Sequence, residues 1–456
     1  MLFTTGIFWI FYIVVYLFLF FNLKVTKSLK IQNIILLISS YLFYGYWDWR
    51  FLGLIFLVSI QTFLSGIIIK SLSNHKKTIL ISSLFINLSL LFYFKYANFF
   101  VNEFISIFNL NNNFLLENII LPVGISFYIF QSFTYVLDVY NKKIKPERNL
   151  INYLTFIAFF PQLVAGPIER ASSLLPQFKT LKEINQSNLF EGVKIIIIGL
   201  FLKVFIADNI SIGVDNIFKN YQNLKSGTLI LGALGFSIQI YGDFCGYSLI
   251  AIGIAKTMGF SLMKNFDLPY MSTSLQEFWR RWHISLSSFF RDYLYIPLGG
   301  NKTTPNKNFR NILITFFASG LWHGANWTFI IWGVLHGLII VLEKKIRFKI
   351  NKFFHWTITF CAVTFLWILF RSETLNDFFQ YTSLLFSTKI QFPESGRHIF
   401  IYGLIFLIIE SILYRFKESG ETWFSSHFSE NNLLALMLVL VYGTIIKNNN
   451  FIYFQF

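Results

Sequence analysis

The sequence reads as an all-α, polytopic integral membrane protein with roughly 10–12 membrane segments, some of them broken or re-entrant. Three observations lead there. Of 456 residues, 55% are hydrophobic and 13% charged, and mean hydropathy is +0.57. A soluble chain carries about 45–50% apolar and 25% charged residues, so this one cannot coat a water-exposed surface. Apolar runs recur at the length a helix needs to cross a bilayer, and the loops between them alternate in charge. Soluble, disordered, fibrous and purely peripheral classes are excluded.

The first five spans lie near 2–23, 31–47, 51–70, 78–96 and 119–140. The first is long for a signal peptide and has neither a basic start nor a small-residue cleavage site, so it is kept as a span. Lys24, Lys27 and Lys30 follow it. Only Asp48 and Arg50 follow the second, while Lys70, Lys76 and Lys77 follow the third. The fourth loop holds Glu103 and Glu117; after the fifth span come Lys142, Lys143, Lys145 and Arg148. Basic loops stay in the cytoplasm, which puts the N-terminus outside.

Leu154–Ile168 is short and holds two prolines and a glycine, as a broken or re-entrant segment does. Spans near 190–207 and 228–255 follow. Residues 256–310 are too polar and basic to cross and belong at the cytoplasmic side or dip inward. Both flanks of Asn311–Leu342 are basic, with Arg310 before and Lys344, Lys345, Arg347, Lys349 and Lys352 after. The segment must therefore go in and return, and about 30 residues suit two half-length helices. The break is expected near Gly320–Asn326. Three more spans, near 354–370, 399–414 and 433–446, leave the tail 447–456 outside. No internal repeat is evident. The chain is expected to form one integral membrane domain: N-terminal spans 1–118, a core 119–342, and C-terminal spans 343–456.

Lys plus Arg exceed Asp plus Glu by 38 − 22 = +16. That charge either sets topology or attracts an anion such as a lipid headgroup or a nucleotide. Cys245 and Cys361 sit in apolar surroundings, with no disulfide, zinc or redox pattern. His323 falls at the expected break, where an ionisable group at membrane depth is functional by default. His336, in an apolar run, is expected to pack or to orient a neighbour. Phe278–Tyr293 (FWRRWHISLSSFFRDY) has helical spacing, with Trp279, Trp282, Leu286 and Phe289 on one face and His283 at its boundary. It is either an interfacial helix with snorkelling arginines or a platform whose Arg280, Arg281, Arg291 and nearby Lys302 meet the phosphates of a nucleotide-like donor. Asp243 lies in an apolar span and needs a donor, such as an arginine of the Trp-Arg-Arg unit. No carboxylate stands beside the histidines, so no metal is expected. GxSxG, P-loop, GxGxxG and HExxH motifs are absent. The residues alone leave an acyltransferase, a proton-coupled transporter or flippase, and a non-catalytic envelope scaffold open.

Several stretches together resemble the membrane-bound O-acyltransferase family, in its bacterial branch for O-acetylation of alginate and peptidoglycan. They are Leu121–Phe127, Gln131–Tyr140, Phe159–Arg170 (FFPQLVAGPIER), Gln239–Gly253, Glu277–Gly300, Leu321–Gly337 (LWHGANWTFIIWGVLHG) and the ending Phe451–Phe456. In Gln239–Gly253, Gly242, Cys245 and Leu249 stand where the pattern has Phe, Ser and Asp. The resemblance implies a helical bundle with a central tunnel, His323 as the catalytic histidine and His283 as its second. It implies acetyl-CoA as donor substrate without a metal, Trp322, Trp327 and Trp282 excluding water, and Asn326 as a further hydrogen-bond donor. It further implies an inner-membrane location and transfer of acetyl toward an extracytoplasmic envelope polysaccharide, peptidoglycan before alginate. The expected partners are a periplasmic SGNH-hydrolase-like transferase, acyl-CoA and membrane lipids, with no nucleic acid. Tyr453 is expected either to relay the acyl group or to anchor the tail.

Overall fold

The structure, a computed structural model, describes residues 1–109, 119–164, 166–346, 351–387, 390–393, 395–419 and 430–442. The elements among them are all helical. In order they are α1 (Gly6–Lys24), α2 (Leu29–Asp48), α3 (Leu52–Ser71), α4 (Lys76–Leu91), α5 (Ala97–Phe108), α6 (Ile125–Tyr140), α7 (Leu150–Ala158), α8 (Phe160–Leu163), α9 (Ala171–Leu174) and α10 (Gln186–Leu200). There follow α11 (Asp208–Lys219), α12 (Ser226–Thr257), α13 (Leu275–Arg281), α14 (Ile284–Phe290), α15 (Pro305–His323), α16 (Trp327–Lys345), α17 (Lys352–Arg371), α18 (Leu375–Ser387), α19 (His398–Ser419) and α20 (Glu430–Tyr442). Six helical stretches are long and apolar enough to cross a membrane: 6–24, 29–71, 76–108, 226–257, 327–345 and 352–371. The protein is a multi-pass membrane protein. The tail 447–456, with Tyr453, lies outside the described residues.

The chain clusters into two compact units, residues 1–196 with 248–263, and residues 197–247 with 264–456. In the first, the expected interruption after Leu154 is real. The helix stops at Phe159 and restarts at Phe160, with Pro161 in the first turn. The carbonyl of Phe156, freed by that break, accepts from the Gln131 and Gln162 side chains at 2.6 and 3.2 Å. Irregular backbone in a membrane protein requires such internal partners. Nearby, the buried Asn33 amide donates to Asn152 Oδ1 at 2.9 Å and to the Phe178 carbonyl at 2.7 Å.

In the second unit, α15 and α16 form a hairpin that turns at Gly324–Asn326, inside the window expected from the basic flanks. Its helices are not half-length, as expected, but 19 residues each. Helix α15 begins at Pro305, well before Arg310, and α16 runs through Glu343 to Lys345, so both continue past the apolar segment. Close approach is bought by glycine. A Cβ on Gly333 would stand 2.3 Å from the Phe316 carbonyl oxygen and 3.0 Å from the Gly320 Cα.

Candidate active site

The expected continuous helix through Phe278–Tyr293 is broken at its histidine. Helix α13 ends at Arg281, His283 takes a left-handed backbone at φ 42°, and α14 starts at Ile284. Side chains pay a steric cost in that conformation, so the surroundings must impose it. Buried Asn265 does so: its carbonyl accepts the Ile284 N–H at 2.9 Å and its Oδ1 the Ser285 N–H at 3.4 Å. The kink takes His283 out of the helical register of α13. His283 is fully buried, and burial pushes its imidazole down to about 3, so the ring is neutral at ordinary pH.

His323 is the last residue of α15 and is 3% exposed. Its ring stands 6.4 Å from that of His283, centroid to centroid. Trp322 lies against both, 5.1 Å from His323 and 5.6 Å from His283. Trp332 and Phe370 close on His323 at 5.0 and 5.5 Å, and Phe244 on His283 at 4.6 Å. The two histidines therefore meet in an aromatic, water-poor chamber. Such a chamber protects a reactive ester-forming step from hydrolysis.

The tryptophans divide. Trp322 is in the chamber wall. Trp282 is buried one layer away, packed on Phe266, Phe278 and Trp367 at 5.0–5.5 Å. Trp327, also expected to exclude water, is 45% exposed at the first turn of α16 and is not part of the wall around the two histidines described above. Asn326, expected as a donor to the reacting group, caps α16 instead. Its Oδ1 accepts the Thr328 N–H at 3.0 Å and its Nδ2 donates to the Glu373 carbonyl at 2.7 Å.

A cavity of about 500 Å³ opens beside this chamber. Arg280, Arg291 and Lys344 line it together with Trp279, Ile284, Ser319 and Ile340. Ser319 is one helical turn from His323, so the cavity wall runs toward the histidine along α15. Arg281 is not in that lining; it pairs with Glu277 at 2.6 Å. Arg291 bonds Asp292 at 2.7 Å and is well exposed. Lys344 was missed because the cluster Lys344, Lys345, Arg347 reads as topological charge; it stands one turn after Ile340, on the face of α16 that lines the cavity.

Asp243 does not pair with an arginine of the Trp-Arg-Arg unit. Its Oδ1 meets Lys203 Nζ at 2.5 Å, and the same ammonium meets Asp208 at 2.7 Å. All three are buried, and Tyr247 offers its ring face to the lysine at 5.4 Å. Among the described residues, no three His, Cys, Asp or Glu side chains gather as a metal site would require.

The sequence pattern of the membrane-bound O-acyltransferase family matches residues 41–372. A protein of Pseudomonas putida named probable alginate O-acetylase AlgI is 41% identical over 368 residues, 78% of this chain and 75% of its own. The peptidoglycan O-acetyltransferase of Helicobacter pylori is 36% identical over 377 residues, 75% and 71% of the two chains. The teichoic acid D-alanyltransferase of Bacillus subtilis is 32% identical over 276 residues, 56% and 68%. All three names describe acyl transfer. The matched region takes in both histidines, the kink and the whole α15–α16 hairpin; the chain belongs to the membrane-bound O-acyltransferase family and is a membrane-bound O-acyltransferase.

Proposed function

We propose that this enzyme moves acetyl from cytosolic acetyl-CoA toward a hydroxyl of an extracytoplasmic cell-envelope polysaccharide, with peptidoglycan as the acceptor. The observation that supports the donor is the cavity: three cations, Arg280, Arg291 and Lys344, line one space with Ser319, which stands one helical turn before His323 on α15. Cations suit the phosphates of a nucleotide thioester. They lie in segments whose basic neighbours favour the cytoplasmic side. The same charge pattern supports an inner-membrane protein with both termini extracytoplasmic.

His323 takes the proton of the attacking hydroxyl as the new C–O bond forms at the thioester carbonyl. It returns that proton to the departing thiolate as the C–S bond breaks. A neutral imidazole is suited to both transfers, and general-base help is worth about 10²–10⁴ in rate. His283, neutral and facing the same chamber, stabilises the tetrahedral oxyanion or orients the acceptor.

The route onward uses a periplasmic SGNH-hydrolase-like partner, and Tyr453 as the relay hydroxyl or as part of an aromatic anchor for docking. Alginate is the second reading, favoured by the higher identity, 41% against 36%, of the relative named for it. Incubation of membranes with radiolabelled acetyl-CoA tests both. Ester-linked label on the cell-wall glycan supports the first reading, and label on exopolysaccharide replaces it with the second. No turnover of acetyl-CoA by active membranes would overturn the donor.

A further inference from the structure

Two stretches of chain that line the cavity each end beside a histidine. On α15 the lining includes Ile312, Thr315 and Ser319. Residues three and four apart share a helix face, and the next positions on that face are Trp322 and His323. Across the cavity the lining begins at Ile284, the residue after His283, and reaches Arg291 seven residues later, a rise of about 10 Å. Ile284 and Ser319 therefore mark the end of the cavity nearest the two histidines, and Arg291 lies further out.

The hydroxyls in this lining are not equivalent. Thr315 Oγ1 donates to the Asn311 carbonyl at 2.7 Å, Ser287 Oγ to the Trp282 carbonyl at 3.1 Å and Ser288 Oγ to the Ser285 carbonyl at 3.0 Å. Each of those is committed to the backbone. The Ser319 hydroxyl bonds no group among the described residues, yet it is not sealed inside the protein. Ser319 is only 5% exposed, and the cavity is the space it lines. A hydroxyl so deeply placed is costly to leave unsatisfied, so one that opens onto a cavity is a donor held ready for what enters it.

Spacing identifies the acceptor. The four residues from Ser319 to His323 rise about 6 Å. In an acyl-CoA, five bonds join the thioester carbonyl carbon to the carbonyl carbon of the amide nearest the sulfur, about 6 Å when extended. With the thioester at His323 and the arm lying along α15, that amide stands beside Ser319. We propose that Ser319 is a substrate-binding residue whose hydroxyl donates to this amide carbonyl and so sets the thioester one turn further on, at His323. The proposal rests on the acyl-CoA reading above.

The test uses membranes carrying the full-length enzyme, with donor turnover read above that of membranes lacking it. The donors are acetyl-CoA and an analogue in which a trans-alkene replaces that amide, keeping its shape without a carbonyl. Wild type should lose about three- to tenfold in kcat/KM on the analogue. Ser319→Ala should lose about the same factor on acetyl-CoA and nothing further on the analogue, as two partners of one bond must. Wild-type indifference to the alkene overturns the proposal while leaving the donor reading intact, and decides the matter even where Ser319→Ala folds poorly. Unchanged kinetics of Ser319→Ala on acetyl-CoA also overturn it. So does a full further loss by that variant on the analogue, which shows that the hydroxyl acts elsewhere. Failure of wild type to use acetyl-CoA overturns both readings together.

Discussion

The rings of His283 and His323 stand 6.4 Å apart, centroid to centroid, with their planes inclined by 59°. Even pointed at each other, their nitrogens stay about 4 Å apart, beyond the roughly 3 Å of a direct hydrogen bond. The two rings therefore do not bond each other directly, and each is left to act on a third group, the arrangement that the proposed base and oxyanion roles require. His323→Ala should fold normally and lose 10²-fold or more in transfer, with His283→Ala also impaired. If the double variant loses little beyond either single one, the two rings act as a unit. Wild-type transfer by His323→Ala, in a single-turnover assay, would remove it from the chemistry.

The arginines separate cleanly. Arg280 and Lys344 line the cavity, while Arg281 is tied to Glu277. On the proposed reading, Arg280→Ala and Lys344→Ala should each raise the donor KM several-fold with little change in kcat, and added salt should imitate them. Arg281→Ala should leave donor affinity alone. Donor titrations over a range of salt check this; equal effects from all three would show that the cations act only through general surface charge.

The contrast between Arg281 and Lys344 shows what a sequence can disclose here. The hairpin turn at Gly324–Asn326 was readable because topology follows charge, and the basic flanks of 311–342 force a return. The break at Phe159 was readable because proline and glycine punctuate backbone locally. The kink at His283 was not. Trp279, Trp282, Leu286 and Phe289 fit one unbroken helix, and the break is imposed by Asn265, a tertiary partner that no local pattern reveals. Lys203 was equally hidden as the partner of Asp243, forty residues away in a segment that reads as a plain apolar span. Glu277 claims Arg281 through an i,i+4 spacing that the sequence did contain.

Lys203 holds two buried carboxylates, Asp208 and Asp243, with one ammonium. Removing the shared partner leaves both acids in a medium that penalises their charge. Lys203→Met should cost about 3–5 kcal/mol of stability, the range for breaking a buried pair. Adding Asp208→Asn and Asp243→Asn to it should restore part of the loss, since neutral amides tolerate burial better than unpaired carboxylates. Thermal unfolding in detergent, followed by residual binding of a conformational probe, measures the series. A triple variant no better than Lys203→Met alone would show that the lysine matters through packing on Tyr247 and not through charge.

The last prediction concerns the hairpin that carries His323. Gly320 and Gly333 face each other across it, and a Cβ on Gly333 would fall 2.3 Å from the Phe316 carbonyl and 3.0 Å from the Gly320 Cα. Neither obstacle is a flexible side-chain end, so relief requires the helices to part. Parting them moves Trp332, one residue before Gly333, away from His323, against which it packs at 5.0 Å. Gly333→Ala should therefore depress kcat, by the tenfold to hundredfold that small misplacements of a catalytic group produce, more than it lowers the yield of folded protein. Gly53→Ala is the control: a Cβ there meets nothing within 4 Å, and it should be silent or slightly stabilising. If Gly333→Ala keeps wild-type kcat, the hairpin tolerates separation and the chamber does not depend on the close contact of α15 and α16.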